Sequence, residues 1–147
     1  MNKPAYIDTS AFLRAFIPDN AGHAAARALL HDQIDDISLV SSELLWLEAD
    51  RAARRIAAVN PAHQDLPNWS SRTMGLLQMV DLDRQVINAA RAIPEVVKSL
   101  DAIHIATAEQ LVGAIEFVIT TDRTMTTVLN QRGIVQAVSP SQALVRL

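Results

Sequence analysis

Apolar positions along the chain follow two patterns that take turns. Short apolar runs recur at Ala5-Tyr6-Ile7, Ile37-Ser38-Leu39-Val40, Gln78-Met79-Val80-Asp81, Glu116-Phe117-Val118-Ile119-Thr120 and Ile134-Val135-Gln136-Ala137-Val138, and each reads as a strand. Between them the spacing becomes helical. A short helical piece covers Ala11 to Phe16 and ends near Pro18, and a second runs from His23 to Gln33. The longest is Glu43 to Val59, capped by Ser41-Ser42, with Leu44, Leu45, Leu47, Ala52, Ile56 and Val59 as its apolar stripe and Pro61 beyond its end. Further helices are predicted over Asp83 to Ile93, from Ser99 to a C-cap at Gly113, and over Arg123 to Gln131 before Gly133. Asp19-Asn20-Ala21-Gly22 and Asp35-Asp36 read as turns. Asn60 to Ser71 has no clear period and is expected to be a loop or a loosely helical excursion, and Ser139-Pro140 leads into a short tail. Strands alternating with helices predict an α/β fold, one parallel sheet of about five strands with helices on both faces, in a single domain spanning residues 1–147.

Two of the strands end in the same way. Ala5-Tyr6-Ile7 stops at Asp8-Thr9-Ser10, and the run ending at Ile119 stops at Thr120-Thr121-Asp122, each followed by a helix. The ordinary role of an acid at such a junction is to cap the helix by accepting an orphan N–H. In a parallel sheet, however, the carboxyl ends of the strands share one edge, and open α/β folds place their ligands there. Asp8 and Asp122 therefore face one region, which Glu48 and Asp101 can approach from flanking helices. Asp101 opens a helix that is apolar or small around nearly its whole circumference and so is expected to be buried. Its ordinary role is to stabilise the helix dipole, and that of Glu48 is an ion pair with Arg51, three residues on. Four clustered carboxylates repel one another, about 4 kcal/mol for a pair ~4 Å apart at an effective dielectric near 20. Protons or cations must compensate. Oxygen-only ligands favour hard ions such as Mg²⁺, and the chemistry that follows is phosphodiester hydrolysis by metal-activated water.

Bulk composition narrows the picture without deciding it. The chain has 147 residues, half of them hydrophobic, with no cysteine and a formal net charge of -3. Disulfide frameworks, thiolate zinc sites and cysteine nucleophiles are excluded. No signal-peptide pattern or membrane-length apolar run is present, so the expected location is cytoplasmic, with no membrane partner. The acidic balance argues against a uniformly basic nucleic-acid coat but leaves room for a local one at Arg51, Arg54 and Arg55. Trp46 and Trp69 are expected in the core, with an interface as the alternative. His23 and His31, eight apart, are too distant to share a metal, and His104 is expected to pack or hydrogen-bond rather than bind one.

Four stretches together carry a family likeness. Tyr6-Ile7-Asp8-Thr9-Ser10-Ala11, then Ser41-Ser42 with Glu48 and Arg51-Ala52, then Leu100-Asp101-Ala102-Ile103-His104-Ile105-Ala106-Thr107-Ala108, then Thr120-Thr121-Asp122 resemble the four acidic motifs of PIN-domain ribonucleases. The likeness is greatest to VapC-type toxins of bacterial toxin-antitoxin pairs. It spans nearly the whole chain apart from residues 60–80. The resemblance implies a three-layer α/β/α sandwich and a Mg²⁺- or Mn²⁺-dependent endoribonuclease that inhibits translation. It also implies a homodimer, neutralised by a small cognate antitoxin whose C-terminal segment occupies the active-site groove. By position, Asp8, Glu48, Asp101 and Asp122 take the metal-binding and catalytic places, with Thr9 and Thr120 in support and Arg51 and Arg55 as contacts for the RNA. Glu43 is a rival on the helix of Glu48, which alone has the family's spacing from the serines and from Arg51-Ala52.

Other readings fit less well. An aspartyl-nucleophile phosphatase needs a second Asp two residues after Asp8, where Ser10 stands, and a receiver domain needs a late Lys, whereas the only lysines are Lys3 and Lys98. Gly22, Gly75, Gly113 and Gly133 are too scattered for a phosphate-binding loop. The remaining alternative is a non-catalytic PIN-like module that binds RNA or protein, to which clustered acids bring no benefit.

Overall fold

Alternation along the strands divides the interior into two cores. In a computed structural model that describes residues 3–18, 21–32 and 37–147, β1 (Ala5–Ile7) sends Ala5 and Ile7 to one face and Tyr6 to the other. The same division holds for Leu39 against Val40, Ile119 against Val118 and Val138 against Ala137. These pairs belong to β2 (Leu39–Ser42), β4 (Val118–Ile119) and β5 (Ala137–Val138), and with β3 (Gln78–Val80) they form one parallel sheet in the order β3-β2-β1-β4-β5. Being covered on both faces, the central strands are buried throughout, as a parallel sheet requires.

The first core is closed by α1 (Thr9–Arg14), α2 (His23–Arg27), α3 (Glu43–Val59), α4 (Leu66–Met74) and α8 (Pro140–Arg146), through Phe12, Ala26, Leu45, Ala49, Leu66 and Ala143 among others. The second contains Ile105 from α6 (Ser99–Gln110) and Met125, Val128 and Leu129 from α7 (Arg123–Arg132). α5 (Arg84–Arg91) packs on α6. The expected α/β/α sandwich with five parallel strands is the fold. Strand order reverses on either side of β1, so Asp8 follows the strand at the topological switch point and Asp122 follows its neighbour β4.

Several expectations need adjustment. Of the two readings of Asn60 to Ser71 the helical one holds: a 3₁₀ turn at Pro61–His63 leads into α4, whose Leu66, Ser70, Thr73 and Met74 are buried at helical spacing. The C-terminal tail is α8, started by a capping box in which Ser139 and Gln142 bond each other's backbone N–H. The second helix ends at Arg27 and passes into a π-type turn, Ala28–Asp32. The helix end read at Gln33 and the turns read at Asp19-Asn20 and Asp35-Asp36 lie outside the described residues. Gly133, at φ 69°, is the left-handed C-cap of α7, whereas α6 ends at Gln110 and Gly113 takes its positive φ in the turn beyond. Trp46 and Trp69 are each half exposed rather than in the core.

Candidate active site

Asp8 does two things at once. It is the N-cap of α1, accepting the Ala11 N–H on Oδ1 at 2.9 Å, and the same oxygen accepts the Ser10 hydroxyl at 2.7 Å. The cap expected of an acid at this junction is thus made by Asp8. Across the sheet edge, the Thr120 hydroxyl donates to Asp8 Oδ2 at 2.5 Å and also accepts the Asp122 N–H at 3.0 Å. Asp122 in turn caps α7, accepting the Met125 N–H on Oδ1 at 2.9 Å. The capping reading and the site reading are therefore compatible, because each cap uses one acceptor position and leaves further capacity on the carboxylate.

Glu48 belongs to a separate network. Its Oε1 accepts the Thr9 hydroxyl at 2.7 Å and lies 2.8 Å from His104 Nε2, while His104 Nδ1 lies 2.6 Å from the Tyr6 hydroxyl. Burial pushes the Tyr6 phenol far above its usual range, and the Asp8 charge adds to the push, so Tyr6 stays protonated. With Tyr6 assigned as donor to Nδ1, the imidazole proton sits on Nε2 and points at Glu48. Glu48 shows opposed effects. Burial raises its pKa, but hydrogen bonds from His104 and Thr9 outweigh that and leave the carboxyl below its ordinary value. The rival acid, Glu43, is spent elsewhere, accepting the Leu82 N–H just past β3 at 3.2 Å.

Asp101, in the first turn of α6, has no hydrogen-bond partner among the described residues. Burial raises its pKa, and the nearby charges of Asp122 and Asp8 raise it further. Asp8 is also pushed upward by burial, against the pull of His104 and of the Thr120, Ala11 and Ser10 hydrogen bonds. The three aspartates thus share one electrostatic environment. Arg51 and Arg55 lie exposed on the stripe of α3 that carries Glu48, and neither is ion-paired among the described residues; Arg54 pairs with Asp50 at 3.0 Å.

The donor chemistry suits a hard divalent cation. A carboxylate offers about four acceptor sites. Asp8 uses three, Glu48 uses two on Oε1, Asp122 uses one and Asp101 none, so every acid retains oxygen capacity. Among the described residues, no three His, Asp or Glu side chains stand close enough to form a ready-made cage. A hard ion such as Mg²⁺ is usually held by one or two carboxylates and completed by waters, so it does not require such a cage.

The PIN-domain family model matches residues 5–128 of the chain. The chain belongs to the PIN-domain family. Solved structures of the same fold include PAE2754 from Pyrobaculum aerophilum, at 18% identity and a TM-score of 0.71 over 99% of this chain and 96% of that one. The VapBC2 complex from Rickettsia felis bound to a promoter DNA fragment is similar at 8% identity and 0.66, over 92% and 97%. VapC20 of Mycobacterium tuberculosis, a toxin that cleaves the sarcin-ricin loop, is similar at 15% and 0.62, over 90% and 97%. A comparison with curated proteins finds no match.

The likeness read from four short motifs thus corresponds to membership of the PIN-domain family. Two polar residues of this PIN domain carried no assigned role in the sequence, Tyr6 and Ser10. The parity of β1 gives the first, since Tyr6 must face away from Ile7 and toward α6. His104 hydrogen-bonds, as one of its two expected roles, with Tyr6 and Glu48 as partners, and its i, i+3 spacing from Asp101 puts both on one face of α6. A cavity of about 580 Å³ lies away from the acids, beside Phe16, His23, His31, Trp69 and Arg72.

Proposed function

We propose that this PIN domain is a Mg²⁺- or Mn²⁺-dependent endoribonuclease and acts as the toxin of a toxin-antitoxin pair. The observation that carries the reading is that Asp8 and Asp122 follow the neighbouring strands β1 and β4 at the switch point of the sheet and are linked through the Thr120 hydroxyl, while the charges of Asp122 and Asp8 reach Asp101 and add to the burial that raises it. In this reading Asp8, Glu48, Asp101 and Asp122 hold the metal. When bound, the metal supplies a water of lowered pKa and neutralises charge on the scissile phosphate. Thr120 and Ser10 fix the rotamer of Asp8, and Thr9 and His104 fix that of Glu48. Arg51 and Arg55 extend from Glu48 along α3 as contacts for the RNA backbone.

The partner follows from the same reading: a small cognate antitoxin whose C-terminal segment enters the site and blocks RNA. Related folds from toxin-antitoxin complexes, the Klebsiella pneumoniae complex among them, support it. The test is cleavage of structured RNAs by the pure protein in Mg²⁺ or Mn²⁺, with EDTA and Asp8→Asn as controls. Loss of cleavage in both controls is expected. Cleavage that survives both would falsify the metal mechanism. RNA bound but never cut is the outcome expected of a non-catalytic module, the reading favoured by the lack of a ready-made cage among the described residues.

A further inference from the structure

A cavity of about 330 Å³ lies next to the acids and has the opposite chemistry. Its lining comes from the end of β4, from α7 and from the start of α8, and includes one guanidinium, four threonines and no carboxylate. Most of these groups are already committed. The Thr120 hydroxyl serves Asp8 and the Asp122 N–H, the Thr126 hydroxyl donates to the Asp122 carbonyl, and Ser139 and Gln142 bond each other's backbone in the capping box. Three are not. Arg123 is exposed and has no acid partner among the described residues, the Thr127 side chain makes no hydrogen bond there, and the Thr121 hydroxyl oxygen is buried without a partner. An orphaned buried hydroxyl calls for explanation, because it costs about 1–3 kcal/mol unless something satisfies it.

We propose that this cavity is a phosphate subsite that holds the RNA backbone one nucleotide away from the bond being cut, with Arg123 and Thr121 as its binding residues. The assignment rests on the nuclease reading and adds a second anchor to it. A guanidinium among hydroxyls, with no carboxylate, selects an anion, and phosphate matches the planar fork of Arg. Thr120 connects the two places: it lines the cavity while its hydroxyl holds Asp8 Oδ2. A backbone phosphate seated on Arg123 is therefore held beside the acids, with Thr120 shared between the two places. Free phosphate, or the acidic side chain of a partner protein, shares part of this chemistry. RNA is favoured because its neighbouring phosphate must reach Asp8 for the reaction to occur.

The experiment uses the full chain carrying Asp8→Asn, which binds without turnover, and a short mixed-sequence single-stranded RNA followed by fluorescence anisotropy across a salt series. Adding Arg123→Ala should weaken binding about tenfold and reduce the salt slope by about 1, as expected for one lost phosphate contact. Arg123→Lys should keep the slope and recover part of the affinity, and Thr121→Val should weaken binding by a smaller factor. In chains with Asp8 intact, Arg123→Ala should raise KM while kcat stays nearly constant. Because Arg123 is exposed, its variants should melt with the wild type. If the wild type cuts RNA while Arg123→Ala leaves affinity, slope and KM unchanged, the subsite is wrong and the nuclease reading stands. If the chain binds RNA without cutting, the nuclease reading fails and the salt slope still decides the subsite. If no RNA binds at all, or Arg123→Ala alters only the affinity of a cognate antitoxin, the phosphate assignment is overturned.

Discussion

At the scale of single residues, Asp8 is under two opposed demands, and these can be separated. As a cap it stabilises α1, and as a buried charge it destabilises the metal-free fold. Asp8→Asn keeps an oxygen for the Ala11 N–H and removes the charge, whereas Asp8→Ala loses the cap as well, at a cost of about 1 kcal/mol. The pH dependence has a definite sign. A carboxyl raised above its unfolded value of 3.8 keeps its proton longer in the folded state, so it erodes stability as pH rises from that value through the raised pKa. In EDTA, denaturant titrations should therefore show Asp8→Asn gaining on the wild type from about pH 4 upward and at least equalling it near neutrality. Asp8→Ala should fall below Asp8→Asn throughout. A wild type that stays more stable than Asp8→Asn at neutral pH would show that the buried charge is already compensated. His104 gives a second expectation. If it positions Glu48, His104→Ala should raise the Mn²⁺ concentration for half-maximal cleavage by about 10–100-fold, with Tyr6→Phe producing a smaller shift in the same direction. A fall in kcat at unchanged metal dependence would assign His104 a different role. The placement of Asp8, Asp101 and Asp122 at element ends was legible because each caps a helix or stands in its first turn. The His104 link to Glu48 was not, since it joins residues 56 apart in sequence and depends on how α6 crosses α3.

At the scale of elements, legibility followed the strength of the local pattern. α3 begins and ends where its serine caps and its apolar stripe say it should. α4 shows only as a loosely helical alternative because its buried face includes Ser70 and Thr73, so polar letters hide the period, and α8 is hidden because its Ser139-Pro140 start looks like a turn until Gln142 closes the capping box. Strands β4 and β5 are shorter than their apolar runs, since only the central residues of each run meet a neighbour in the ladder. One element contact has consequences for the site. Arg132 on α7 bonds Glu109 on α6 at 2.8 Å through two nitrogens and Glu95 at 2.9 and 3.1 Å, tying the segment that leads into Asp101 to both helices. The side chain is only 18% exposed, so solvent screens it little. Arg132→Ala should cost about 2 kcal/mol by leaving two carboxylates unpaired, and Arg132→Lys should recover only part because it cannot form the bidentate pair. Chemical denaturation measures both. Equal stability of Arg132→Lys and wild type would show that charge alone, not fork geometry, holds the segment.

At the scale of the whole molecule, the open question is what covers the apolar surface. No described helix is long and apolar enough to cross a membrane. Yet Trp46 and Leu47 on α3 are 52% and 59% exposed, and Leu100 on α6, which packs against α3, is 46% exposed. Scattered single apolar residues need no partner, but large side chains on two helices in contact suggest an interface. A second copy is the simplest occupant, because a two-fold axis lets one patch cover itself. Light scattering coupled to gel filtration should then give about twice the 16.1 kDa chain mass for the wild type at micromolar concentration. Leu47→Glu should give the monomer, since it buries an unpaired charge twice across the symmetric contact. Leu47→Ala should weaken the dimer without abolishing it. Circular dichroism must show the helices intact in both variants, as Leu47 lies outside the two cores. A wild type that runs as a monomer at all concentrations would leave Trp46, Leu47 and Leu100 to a different partner, and a Leu47→Glu chain that stays dimeric would move the interface off α3.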